Sequence, residues 1–69
     1  MEIKLHESKL KSKLKEIAGN HAYAVQTADG ETGWDDYLDL GLVKQMAELG
    51  GGYVYVYSAL SDELRRYNA

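Results

Sequence analysis

The chain has 69 residues, no cysteine and no proline, and a formal net charge of −3. A chain this short makes one domain and buries only about 60% of the surface it exposes when unfolded; without cysteine it has no disulfide staple, thiolate nucleophile or zinc-finger ligand set. The charge is polarised, with five lysines against three glutamates in residues 1–20 and three basic against eight acidic side chains in residues 21–69.

In chain order, Met1–His6 alternates polar and apolar residues, which fits a short strand with Ile3 and Leu5 inward, or alternatively the opening of a first helix. From Ser8, a candidate N-cap, Leu10, Leu14, Ile17 and Ala18 fall at helical spacing between flanking lysines, and Gly19-Asn20 stops the element. His21–Ala28 reads as a strand with Tyr23, Val25 and Thr27 on one face. Asp29-Gly30 predicts a two-residue type I′ turn, returning Glu31–Trp34 antiparallel so that Ala28 faces Glu31 and Val25 faces Trp34.

Asp35 or Asp36 is expected to cap a second helix carrying Leu38, Leu42, Val43, Met46 and Leu49, although Gly41 is a weak point inside it, so that the element either begins properly only near Asp39 or packs Gly41 closely against a neighbour. Gly50-Gly51-Gly52 reads as a flexible connector. It leads into the clearest strand of the chain, in which Tyr53, Tyr55 and Tyr57 line one face while Val54 and Val56 line the other. Ser61–Tyr67 predicts one or two turns of terminal helix, with acidic residues first and arginines last, as a helix dipole favours.

These elements predict an α+β fold: a small two-layer sandwich of a three- or four-stranded antiparallel sheet with two helices on one face and a short C-terminal helical turn, residues 1–69 forming a single compact domain. With residues 1–6 as a strand, the order β-α-β-β-α-β resembles the ferredoxin-like fold; with those residues helical, three strands remain. The chain lacks a signal-peptide pattern and any long apolar run, so a cytoplasmic protein with no membrane segment is expected, monomeric or weakly dimeric.

Neither His6 nor His21 has a second ligand at H-x-x-x-H spacing, no serine lies in a G-x-S-x-G context, and the glycine triplet lacks the lysine of a phosphate loop. No metal, cofactor or catalytic residue is expected, and the chain reads as a non-enzyme. The tyrosine stripe has the composition of a base-stacking sheet, but the acidic balance opposes direct nucleic-acid binding. Two partner-binding candidates remain. Asp29, Glu31, Asp35, Asp36 and Asp39 form a run of carboxylates with no lysine or arginine among them, spaced to imitate phosphates before a basic protein surface. The Tyr53/Tyr55/Tyr57 face offers an alternative, as a self-associating or regulatory interaction module.

In its small size, acidity, α+β profile and run from Asp29 to Asp39, the chain resembles the small anti-CRISPR and anti-restriction proteins of phages and mobile elements. That resemblance implies a stoichiometric inhibitor in the host cytoplasm. It would bind a nucleic-acid-handling defence complex through those five carboxylates and block its DNA binding. The positively charged segment 1–20 departs from a uniformly acidic mimic.

Overall fold

A computed structural model describes the backbone from Glu2 and the side chains from Glu7 to Ala69. The element order is α1 (Glu2–Ala18), β1 (Tyr23–Thr27), β2 (Thr32–Asp35), α2 (Leu40–Leu49), β3 (Tyr53–Ser58) and β4 (Glu63–Asn68). The four strands form one antiparallel sheet in the order β2-β1-β3-β4, so the class is α+β with two helices, as expected. The order α-β-β-α-β-β differs from the ferredoxin-like one in having no strand before α1 among the described residues and a second strand after α2.

The helical alternative holds for the N-terminal backbone. Lysine, glutamate and leucine are good helix formers, and Ser8 lies inside α1 instead of capping it. The inward placement of Ile3 and Leu5 lies outside the described side chains. Leu10, Leu14 and Ala18, four residues apart, form the buried stripe, and Gly19, at φ 55°, ends the helix in the left-handed region that glycine tolerates. α2 takes the later of the starts the sequence left open, not a cap at Asp35 or Asp36: Asp39 is its N-cap, the carboxylate accepting from the amides of Gly41 at 2.9 Å and Leu42 at 3.3 Å.

The two helices lie on opposite faces of the sheet, which corrects the two-layer expectation. Side chains directly opposite in an antiparallel pair share a face, and successive residues alternate. Val25 opposite Val56 therefore belongs to one face, and Ala24 opposite Tyr57 to the other. On the first face Val43 and Ala47 of α2 pack on Val54 and Val56; on the second Leu10, Leu14 and Ala18 of α1 pack on Ala24 and Tyr57. The result is a three-layer α/β/α sandwich whose sheet is apolar on both sides.

The C-terminal helical turn is also corrected, because residues 63–68 pair with β3 along its whole length. Leu64 and Tyr67 are three apart, a spacing that fits one helix face. In the strand they fall on opposite faces, and each joins a different core, Leu64 under α1 and Tyr67 under α2. The charge order has a strand explanation too: residues two apart share a face, and Arg65 bonds Glu63 at 3.2 Å.

The first hairpin is shifted by one residue from the expected register. Ala24 lies opposite Trp34 and Val25 opposite Gly33. The Gly30 amide bonds the Thr27 carbonyl at 3.0 Å, and Gly30 has φ 96°, so the turn is a three-residue loop with a glycine bulge. Thr27 selects it, since its hydroxyl donates to the Asp29 carboxylate and accepts from the Glu31 amide at 3.1 Å.

The glycine triplet is a docked corner, not a loose connector. The Gly50 carbonyl accepts from the Asp29 amide at 2.9 Å, and the Gly52 amide donates to Ala47 at 2.7 Å. A Cβ on Gly50 would stand 2.7 Å from both the Met46 carbonyl oxygen and the Thr27 Cβ, whereas one on Gly33 would meet nothing within 4 Å. Gly50→Ala is therefore expected to destabilise the fold by about 1–3 kcal/mol and Gly33→Ala to leave it nearly unchanged. Urea unfolding of the two variants checks this; equal midpoints would overturn the packing described for the corner.

Candidate functional site

The structure brings the acidic run to one edge of the sheet and gives most of its members local bonds. Asp29 sits in the β1–β2 loop against Thr27, and Glu31 immediately precedes β2. Asp35 accepts from the amides of Asp36 at 2.7 Å and Tyr37 at 3.3 Å, closing the turn that leaves β2. Asp36 meets the His21 ring nitrogen Nδ1 at 3.0 Å, and Asp39 caps α2. All five carboxylates nevertheless remain exposed at the surface. Glu31, just before β2, and Asp35, at its end, are four residues apart and on one face, a span of about 13 Å at the usual strand rise.

Leu42, which the sequence places in the helix stripe, and Trp34, which it pairs across the hairpin, lie exposed among these acids together with Tyr37 and Leu40. Tyr37 is 84% exposed, Leu40 60%, Trp34 55% and Leu42 48%. Trp34 does not pack against Val25; its indole stacks on the His21 imidazole at 3.5 Å between ring centroids and 7° between planes. Together with the His21–Asp36 bond, the stack fastens the α1–β1 connection to the end of β2. One sequence signal for this patch existed: between Trp34 and Leu42, aromatic and leucine residues alternate with aspartates in a segment too short and too acidic to be core.

Between β2 and α2 runs a groove of about 200 Å³, floored by Val25 and Gly33, walled by Leu42 and Met46, and flanked by Asp35 and Asp39. It exists because α2 lies over β3 and β4, leaving the β1–β2 half of that face without a helix above it, and because Gly33 presents no side chain there. The charged side chains that line the groove are Asp35 and Asp39, with no lysine or arginine among its lining residues.

The tyrosine face is largely taken up by α1. Tyr57 is 2% exposed beneath it, and Tyr55 packs at the margin of the same cluster. Tyr53 lies at the far end of β3, edge-on to Tyr55, with the Arg66 guanidinium 4.4 Å from its ring centroid. The Tyr57 hydroxyl donates to Asp62 at 2.7 Å, and Asp62, at φ 54° in the β3–β4 turn, also meets Lys11 of α1 at 3.4 Å. These three groups latch α1 to the second hairpin.

Among the described residues, no three histidine, cysteine or acidic side chains gather as a metal site requires, and no helix is long and apolar enough to cross a membrane. Comparison with protein-family models, characterised proteins and solved structures finds no match to this chain.

The latch makes stability depend on pH at both ends. The hydrogen bond from Tyr57, then Lys11 and the charge of Lys15, hold the Asp62 carboxyl below its ordinary range against a smaller opposing effect of burial. The bond to Asp62, then burial and the carboxylate charge, hold the Tyr57 phenol above its ordinary range. A depressed acid stabilises the fold above its unfolded pKa, near pH 4, and that contribution is lost as pH falls through the depressed value. A raised phenol contributes below about pH 10 and loses its contribution as pH rises through the raised value. Asp62→Asn should therefore flatten the acid limb of a plot of melting temperature against pH, and Tyr57→Phe the alkaline limb. Curves parallel to the parent's at both ends would show that the latch contributes nothing.

Proposed function

We propose that this protein acts by binding, and that its contact surface is the acidic, apolar-studded stretch from β2 to the first turn of α2. The observation that carries this reading is the exposure of Tyr37, Leu40 and Leu42 among Asp35, Asp36 and Asp39 beside an open groove, with Trp34 exposed at the same sheet edge but turned to the α1 face. Exposed apolar side chains grouped in this way mark contact sites, whereas scattered ones need no explanation. Apolar contacts at the centre supply affinity, and a charged rim sets the sign of the partner and the rate of encounter.

The partner that fits is a protein with a basic, nucleic-acid-binding surface. Carboxylates spread along β2 and the α2 cap would occupy cationic side chains that otherwise hold phosphates, making the protein a non-enzymatic inhibitor of the anti-CRISPR kind. The tyrosine strand supports a binding role less well, since α1 covers Tyr57 and part of Tyr55.

The test is affinity capture on the immobilised parent and on the combined Asp35→Asn, Asp36→Asn, Asp39→Asn variant, with duplex DNA as competitor. Asparagine caps a helix about as well as aspartate, so the variant should fold. The parent is expected to retain nucleic-acid-binding proteins that DNA and salt displace, and the variant to retain several-fold less. Equal retention by both would remove the charge-led mechanism.

A further inference from the structure

We infer that the outer edge of β2 accepts an extended basic segment of a protein partner as a fifth strand, seating one apolar side chain of that segment in the groove beside Gly33. The inference rests on the binding surface proposed above and adds its docking mode and the sequence pattern it selects.

The hydrogen-bond parity of the sheet shows which groups the edge presents. The Thr27 amide bonds the Glu31 carbonyl at 2.9 Å and the Ala28 amide bonds the Tyr53 carbonyl at 3.1 Å, so odd-numbered residues of β1 point toward β2 and even-numbered ones toward β3. Antiparallel pairs alternate, so Gly33 and Asp35 bond β1 while the amides and carbonyls of Thr32 and Trp34 point outward. An edge of this kind is a template for another strand.

The other outer strand, β4, is blunted. It carries Glu63, Arg65 and Arg66, all three held in side-chain bonds along the strand, whereas in β2 Thr32, Gly33 and Trp34 carry no charge and only Asp35, at its end, does. The flanks of β2 then select the occupant. Gly33 and Asp35 share the face that bears the groove, and the Thr27–Glu31 bond that continues the register puts Glu31 on it too. A second copy pairing antiparallel through its own β2, centred on Gly33, would set Glu31 against Asp35 twice, a like-charge arrangement that is destabilising. An added strand with lysine or arginine opposite Glu31 and Asp35, and an apolar residue opposite Gly33, would satisfy all three positions. The pattern is basic-x-apolar-x-basic, all three on one face, with the apolar side chain entering the groove against Leu42 and Met46.

The probe is the blocked peptide acetyl-Thr-Lys-Thr-Leu-Thr-Lys-Thr-amide, titrated into the full chain and followed by amide NMR and hydrogen exchange. Binding is expected to protect the Thr32 and Trp34 amides selectively. N-methylation of the two threonines flanking the leucine, which removes their donors and leaves the charge unchanged, should weaken binding by about tenfold or more. Thr32→Pro, which removes an outward amide and no bond to β1, should weaken it similarly while the remaining β1–β2 amides stay protected. Three results would overturn the inference: equal binding of the methylated peptide, no binding at millimolar concentration, or concentration-dependent protection of Thr32 and Trp34 in the free protein, which would assign the edge to a second copy. Equal binding of the methylated peptide that the triple asparagine variant still abolishes would leave the charge-led surface standing and remove the strand addition alone.

Discussion

The pairing of β1 with β3 at the centre of the sheet governs the rest of this structure. It sets Val25 beside Val56 on one side and Ala24 beside Tyr57 on the other, so the two middle strands are apolar on both faces. A small antiparallel sheet ordinarily leaves one face to water. Here Val54 and Ala24 are fully buried on opposite sides, and neither could be covered by helices gathered on a single face. The chain meets the demand with one helix for each side: α1 arrives before the sheet, and α2 crosses over it between β2 and β3.

That division of labour leaves α2 covering β3 and β4 on its own face. The half of the face above β1 and β2 stays open, and Gly33 keeps its floor low. The groove is thus a consequence of having only two helices for a sheet with two apolar faces. Its rim is acidic because the same short segment must end β2, turn and cap α2, and aspartate suits all three tasks: Asp35 closes the turn, Asp36 holds His21 and Asp39 caps the helix. Local structural needs and the charge of the surface therefore share one set of residues, and a carboxylate that bonds a backbone amide still presents its field outward.

The opposite face is closed more tightly. Asp62 bonds the buried Tyr57 hydroxyl and a lysine of α1, giving a polar end to the largest aromatic side chain of the core. This is the tyrosine that a strand pattern alone would offer to a partner, and its burial shows why an apolar-capable strand face is weak support for an interface.

What was legible in the sequence was local. The leucine and alanine stripe of α1, the Asp39 start and Gly50 end of α2, and the alternation of valine and tyrosine along β3 each follow from the period of one element and its cap. What only the tertiary structure decided was relational. Leu64 and Tyr67 suit a helix face or two strand faces, and the free edge of β3 chose the strand. Asp29-Gly30 suits two turn types, and the Thr27 side chain, bonding both Asp29 and Glu31, chose the longer one and shifted Trp34 off Val25 onto His21. Gly50 reads as slack until Thr27 is seen against it. The site shares this limit: the carboxylates could be read from the chain, but the groove and the open edge of β2 depend on which strands α2 covers, and a covering relation between distant segments leaves no periodic mark in either.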